Sequence, residues 1–226
     1  MSRDVRNARD ARRRARVLVV DDHPIVRERL AEIINREPDL VVCGEAEDRI
    51  GGLQAIKNQS PDLAIIDLTL RSSDGLELIK DIHVRWPKLA MLVVSMHDES
   101  LYAERVIRAG ALGYITKQEA TKKILVAIRR VLTRQIYLSA PCAAQLLGRL
   151  ASTSSLQASG PAELLADREL QVFELTGRGM NTRDIAVRLG ISAKTVETYR
   201  ARIREKLNLT ESGELLQVAI AWTHHH

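Results

Sequence analysis

Residues 62–79 read DLAIIDLTLRSSDGLELI, an apolar run that ends in an aspartate and passes through a polar turn into an amphipathic stretch. A continuous run of Leu, Ala and Ile suits a strand buried on both faces, as in a parallel sheet. The same pattern recurs on either side. RVLVV (16–20), LVVCG (40–44), AMLVVS (90–95) and ALGYIT (111–116) join DLAIID (62–67) as expected strands. Helices are expected near 24–36, 48–58, 75–86, 98–109 and 119–134; Pro61 and Pro87 follow helices, and Gly110 stands where one should stop. Five strands alternating with five helices predict a doubly wound α/β domain with a five-stranded parallel sheet over residues 16–134.

Downstream the rhythm changes. Residues 135–161 read as a linker, with a short helix at Ala143–Leu150 and the small, polar stretch ASTSSLQASGP (151–161). Beyond it, over 162–223, the pattern is helical throughout, near 167–178, 182–189, 193–208 and 212–222, which predicts a small all-α four-helix domain. Residues 1–15 form a basic arm. Seven arginines against two aspartates within residues 1–16 equal the whole net charge of +5. Residues 17–140 hold 17 basic and 18 acidic side chains, and residues 161–226 hold nine of each. The bulk charge is therefore no nucleic-acid footprint of the folded domains, and the arm reads as a disordered extension or an over-extended start. No apolar run is long enough for a membrane span, and the arginine-rich start lacks the apolar segment of a secretory signal. The two cysteines, Cys43 and Cys142, have no metal-site spacing; Cys43 reads as a small buried hydrophobe, and the usage fits a reducing cytoplasm.

Open α/β sheets bind ligands at the carboxyl ends of their strands. Strand 1 ends in Asp21-Asp22, strand 3 in Asp67 and strand 4 in Ser95, and Lys117 follows strand 5. Three converging carboxylates repel one another unless a hard divalent cation sits among them, and Mg²⁺ takes oxygen ligands. A carboxylate is also a nucleophile towards phosphorus. Taken singly, each residue has a plainer use. Asp21 or Asp22 would serve to cap a helix begun by Pro24, Ser95 to end a strand, Lys117 to meet solvent and Tyr114 to fill core. The weight lies in the set, which stands at the ends of the right strands in the right order.

Residues 16–134 resemble the receiver domain of two-component response regulators, in VLVVDDHPIVR, AIIDLTLRSSDGLELI, VVSMHDE and AGALGYITK. The resemblance implies a flavodoxin-like fold and a phosphoacceptor, Asp67, supplied by the phosphohistidine of a sensor histidine kinase. It implies Mg²⁺ on Asp21, Asp22, Asp67 and the backbone carbonyl of Thr69, phosphoryl contacts from Ser95 and Lys117, and Tyr114 as the aromatic that swings inward on activation. Two positions depart from the family: Leu70-Arg71 replaces a common Met-Pro, and Gln118 replaces a common proline after the lysine. Both bear on loop geometry and phosphoryl lifetime and remove no group from the pocket.

Residues 181–207, NTRDIAVRLGISAKTVETYRARIREKL, contain two helices joined by Gly190-Ile191-Ser192, with Ser192 as the expected N-cap of the second. In the second helix Val196, Tyr199, Ile203 and Leu207 form one stripe and are expected inside. Lys194, Thr195, Glu197, Thr198, Ala201 and Arg202 then face outward. The helix carries five basic and two acidic residues within an otherwise neutral domain. Such a helix serves as a plain amphipathic element with a solvated face or as a recognition helix. Residues 164–222 resemble the four-helix LuxR/NarL-type output domain, in LADRELQVFEL, DIAVRLGIS, KTVETYRARIREKL and a last helix ending at Trp222. The resemblance implies groove contacts on double-stranded DNA from Lys194, Thr195, Glu197, Thr198 and Ala201, and phosphate or groove-edge contacts from Tyr199, Arg200 and Arg202. Glu197 and Ala201 stand where relatives often carry lysine, and an acid at 197 is suited to accept from a cytosine amino group. Ala166 replaces a capping threonine, and Asp167 is expected to substitute for it. Leu215, Leu216, Val218, Ala219 and Trp222 read as a dimer face, as core under the recognition helix, or as both.

The function expected is phosphorylation-gated control of transcription by a homodimer formed on activation, without enzymatic turnover. Constitutive DNA binding without phosphate is the neighbouring reading. A Mg²⁺-dependent phosphotransferase is disfavoured, because Thr69 stands where a second catalytic aspartate would be. A sensor of a small diffusible ligand is disfavoured by an aromatic content of 3%.

Overall fold

A computed structural model describes residues 13–71, 73–151, 161–211 and 213–224 and divides them into two compact units near Ala140. The arm's residues 1–12 and the linker's 152–160 lie outside the described residues. The first unit alternates β1 (Ala15–Val20), α1 (Pro24–Asn35), β2 (Leu40–Ala46), α2 (Arg49–Gln59) and β3 (Leu63–Ile66). It continues through two short strands, β4 (Thr69–Leu70) and β5 (Ser73–Asp74), then α3 (Gly75–Arg85), β6 (Ala90–Ser95), α4 (Glu99–Arg108), β7 (Gly113–Thr116) and α5 (Lys117–Leu132). The main sheet is five-stranded and parallel in the order β2-β1-β3-β6-β7. The expected doubly wound sheet is present, with β7 starting two residues later than the apolar run does.

Burial explains why the strands were readable. β3 and β6 are buried along their whole length and have no polar face to alternate. On one face of the sheet Val17, Val19, Ile65, Leu92, Val94 and Ile115 pack with Leu30 and Ile34 of α1 and with Ile124, Ile128 and Val131 of α5. The helix starts are equally local in origin: Asp48, Asp74 and Asp98 accept from the amides of Gly51, Leu76 and Ser100. Gly110 stops α4 in a left-handed conformation, with φ +110°.

Two expectations need correction. Cys43 is half-buried, because β2 is an edge strand covered less completely than its neighbours. The turn after Asp67 is a small hairpin, β4 with β5, and Leu70 within it is buried, which ties the departure from Met-Pro into the fold.

The second unit is helical: α6 (Ala140–Ala151), the single turn α7 (Pro161–Leu164), α8 (Asp167–Gly177), α9 (Thr182–Leu189), α10 (Ala193–Lys206) and α11 (Glu214–His224). Leu170, Phe173, Ile185, Leu189, Val196, Ile203, Leu215 and Ala219 are buried, and the Phe173 and Trp222 rings pack at 5.4 Å. α8 and α11 approach so closely that a side chain at Gly177 would meet the Ala219 carbonyl at 2.4 Å. The N-cap of α8 is Ala166, which has no side-chain oxygen with which to cap the helix. Asp167 is already the first helical residue, and Glu169 reaches back to accept from the Ala166 amide at 2.7 Å.

Candidate functional site

The register of the sheet builds the first site. Val20 pairs with Ile66, and the Asp67 amide donates to the Val20 carbonyl at 2.9 Å, so Asp21 and Asp67 leave neighbouring strands side by side. Ser95 pairs with Thr116, which brings Lys117 to the same edge. Asp21, Asp67 and Ser95 are almost completely buried. Lys117 Nζ lies 2.7 Å from Asp67 Oδ2 and 2.7 Å from Asp21 Oδ2. The second oxygen of Asp67, Oδ1, is buried with no hydrogen-bond partner among the described residues.

The electrostatics follow from this packing. Burial pushes the Asp67 carboxyl above the usual carboxylate range; Lys117 opposes that shift and the Asp21 carboxylate adds to it. Burial works against the Lys117 ammonium, but Asp67 and Asp21 outweigh it and hold Lys117 above its ordinary value. One cation thus bridges two buried carboxylates and leaves one carboxylate oxygen unmatched. Asp21, Asp22, Asp67 and His23 each offer one donor atom, and the four atoms lie within 4.8 Å of one another. Oxygen donors of this density, two of them (Asp22 Oδ1 and Asp67 Oδ1) buried without a hydrogen-bond partner among the described residues, fit a hard divalent cation.

Of the residues expected in the pocket, Asp21, Asp22, Asp67, Ser95 and Lys117 lie at this edge, and three further residues lie near them. His23 places Nδ1 2.6 Å from Asp22 Oδ1. Arg27 Nη1 donates to the Asp21 carbonyl at 2.6 Å while its Nε donates to Glu45 at 3.2 Å, fixing the turn that carries the aspartates. His97 Nε2 lies 3.1 Å from Thr69 Oγ1, and its ring packs on Tyr102 at 4.6 Å. Tyr114 is buried, and its hydroxyl donates to the His97 carbonyl at 2.9 Å. DDHP and SMHDE are visible as motifs in the sequence, but nothing in them says where either imidazole turns.

The second site is α9 and α10. Gly190 turns the chain with φ +63°, and Ser192 caps α10 by accepting from the Thr195 amide at 3.0 Å, as expected. Val196 and Ile203 are buried, whereas Tyr199 and Leu207 are half-buried at the rim of the stripe. Lys194, Glu197, Thr198, Ala201 and Arg202 are exposed, and Thr195 is partly so. Arg200 turns inward instead: its Nη1 donates to Thr182 Oγ1 at 2.7 Å, and the Thr182 hydroxyl donates to Glu197 at 2.7 Å. Arg200, Thr182 and Glu197 therefore lace α9 to α10. On α11, Leu215 and Ala219 are core, while Leu216 and Ile220 form the exposed apolar pair.

Comparison with known proteins finds relatives of both units. Residues 17–129 match the model of the response regulator receiver domain, and residues 163–219 match that of the bacterial regulatory proteins of the luxR family. The chain is 30% identical over 210 residues to the oxygen regulatory protein NreC of Staphylococcus epidermidis, covering 91% of this chain and 96% of that one. It is 32% identical over 205 residues to BvgA, a putative positive transcription regulator of virulence factors in Bordetella pertussis, covering 90% and 96%. Among solved structures, a LuxR-family two-component response regulator from Aurantimonas superposes with a TM-score of 0.57 at 32% identity, over 62% of this chain and 99% of that one. RcsB from Salmonella enterica bound to promoter DNA superposes with a TM-score of 0.60 at 24% identity, over 91% and 98%, a likeness of fold. Among the described residues no helix is long and apolar enough to cross a membrane. The chain belongs to the NarL/FixJ-type response regulators, phosphorylation-dependent transcription regulators that join a receiver domain to a LuxR-type DNA-binding domain.

Proposed function

We propose that Asp67 is the phosphoacceptor and that its phosphorylation, by the phosphohistidine of a sensor histidine kinase in the cytoplasm, controls DNA binding by α10. The observation that carries this reading is the unequal state of the two Asp67 oxygens. Oδ2 is held by Lys117, while Oδ1 is buried without a hydrogen-bond partner among the described residues and is left to attack phosphorus. The new bond is Asp67 Oδ1–P and the bond broken is P–N of the donor imidazole, which departs with the electron pair. Lys117 and Ser95 then hold phosphoryl oxygens, a role suited to a buried ammonium and hydroxyl at the same sheet edge. Asp21, Asp22, Asp67 and the Thr69 carbonyl would hold Mg²⁺, which supplies charge neutralisation for the carboxylates and phosphoryl group together.

The inward position of Tyr114 fits a switch in which Ser95 moves towards the phosphoryl group and the aromatic fills the space behind it. On the output side, Lys194, Thr195, Thr198 and Ala201 reach base edges and Arg202 grips phosphate, while Glu197 reads a base or holds Arg200 according to its rotamer. Arg200 acts mainly as the brace that sets α10 on α9. Activated chains bind double-stranded DNA as a homodimer through the exposed Leu216 and Ile220, placing two recognition helices about one helical turn apart. The chain works as a regulator rather than an enzyme, since Thr69 supplies no second carboxylate for turnover.

The test measures DNA binding and dimerisation with and without a small phosphodonor plus Mg²⁺, for the natural chain and Asp67→Ala. A donor-dependent gain only in the natural chain is the expected result. Equal behaviour in all four conditions would leave a constitutive DNA-binding protein and remove the switch.

A further inference from the structure

We infer that His23 is a nitrogen donor of the acidic pocket, and that it tunes the site towards borderline transition-metal divalent cations relative to Mg²⁺. The inference rests on the cation reading above and concerns which cation the pocket favours. Four observations lead to it. His23 Nδ1 lies 2.6 Å from Asp22 Oδ1 and 3.3 Å from Asp21 Oδ1, among the oxygens themselves. One donor atom each from Asp21, Asp22, His23 and Asp67 falls within a span of 4.8 Å, a separation that a single ion bridges. Asp67 Oδ1 is buried there without a hydrogen-bond partner among the described residues.

The fourth is that the backbone holds the imidazole at the pocket. Pro24 opens α1 and confines the residue before it to extended geometry, and His23 has φ −94° and ψ 109°. Its amide donates to Asp21 Oδ1 at 2.9 Å, which draws the residue back over the carboxylates. The imidazole is bound to no helix cap, since His23 is the N-cap of α1 and makes no side-chain capping bond.

The chemistry of the donor set does the rest. Carboxylates, carbonyls and water suit Mg²⁺, whereas imidazole suits the later first-row metals and zinc, whose affinity for nitrogen sites rises along the series to copper. Three carboxylates alone leave a site in which Mg²⁺ competes well. A fourth donor that is an imidazole nitrogen strengthens Co²⁺, Ni²⁺ or Zn²⁺ and does little for Mg²⁺.

The probe is Co²⁺ alone, followed by its visible absorption and by calorimetry, with Mg²⁺ titrated in parallel. The full chain is used, with His224, His225 and His226 replaced by alanine in every sample so that they take up no cobalt. His23→Ala is expected to weaken Co²⁺ binding about tenfold and to move Mg²⁺ by no more than about twofold, the scale of change for altered metal-site surroundings. His23→Gln, which keeps the bulk and loses the ring nitrogen, is expected to match His23→Ala. Equal or tighter Co²⁺ binding in both variants would overturn the inference, since the imidazole would then be a hydrogen-bond donor that competes with the cation. An equal loss of Co²⁺ and Mg²⁺ would overturn it too, because the residue would then act on the pocket's shape. If the natural chain bound neither ion, the cation reading itself would fall; if it bound Mg²⁺ and ignored residue 23, only the present inference would. His23 is largely exposed, so metal-free thermal unfolding should be unchanged in both variants.

Discussion

The carbonyl oxygen of Asp67 occupies the space in which Gly75 would carry a side chain: a Cβ there would stand 1.9 Å from it. The Gly75 amide also donates to the Leu68 carbonyl at 3.0 Å, so the first residue of α3 is pressed onto the backbone of the proposed phosphoacceptor. Gly75→Ala must push one of the two aside. The expected cost is about 3 kcal/mol in urea denaturation, the upper range for overpacking. Phosphorylation by a small donor should also slow by about tenfold or more, because displacement of an attacking group by ~1 Å is that costly. An alanine variant phosphorylated at the natural rate would contradict the placement.

Arg129 on α5 reaches the turn between α1 and β2, meeting Asp39 through two bonds at 2.9 and 3.0 Å and Glu37 at 2.5 Å. The hydrogen bond from Arg129 holds the Asp39 carboxyl below its ordinary value. A depressed folded value means that the contribution is present above the unfolded value and is lost as pH falls through the folded one. In Arg129→Ala the Asp39 carboxyl should titrate at higher pH by NMR, and the acid limb of the unfolding curve should change little elsewhere. The group is exposed, so the effect on neutral-pH stability should be slight.

α8 has half of a capping box. Glu169 accepts from the Ala166 amide, yet Ala166 has no oxygen with which to accept from the helix. Ala166→Thr should complete it and raise the stability of the helical unit by about 1 kcal/mol, read by thermal or urea unfolding. Glu169→Ala should lower it by about 1–2 kcal/mol, since it also strips Lys206 of the partner it holds at 2.6 Å.

Arg202 and Arg200 separate two kinds of contribution to DNA binding. Arg202→Ala should weaken binding to all sequences alike and reduce the slope of log affinity on log salt by about 1. Arg200→Ala should leave that slope nearly intact and lower the unfolding midpoint, because its guanidinium braces Thr182 instead of meeting solvent. A full unit lost from the salt slope in Arg200→Ala would return it to the phosphate-binding set.

The parallel sheet was legible because its inner strands are buried on both faces, so β3 and β6 read as unbroken apolar runs. The pocket was legible because ligands gather at strand ends, and Asp21, Asp67, Ser95 and Lys117 each sit within one residue of such an end. What lay beyond reach came from side-chain direction across elements. The family resemblance put Arg200 at the edge of the groove, but only the crossing of α9 over α10 brings Thr182 under it. Hairpin strands of two residues have no periodicity to detect, so in the sequence β4 and β5 look like a plain turn. The contribution of Glu169 to the start of α8 comes from inside the helix, reaching back to the Ala166 amide, which no residue at the helix start announces.

Tyr114 finds its inward partner in the main-chain carbonyl of residue 97, an atom that every amino acid carries. This hydrogen bond does not depend on which side chain residue 97 carries. A substitution at residue 97 would remove the ring stacked on Tyr102 and the contact to Thr69 while leaving that acceptor in place.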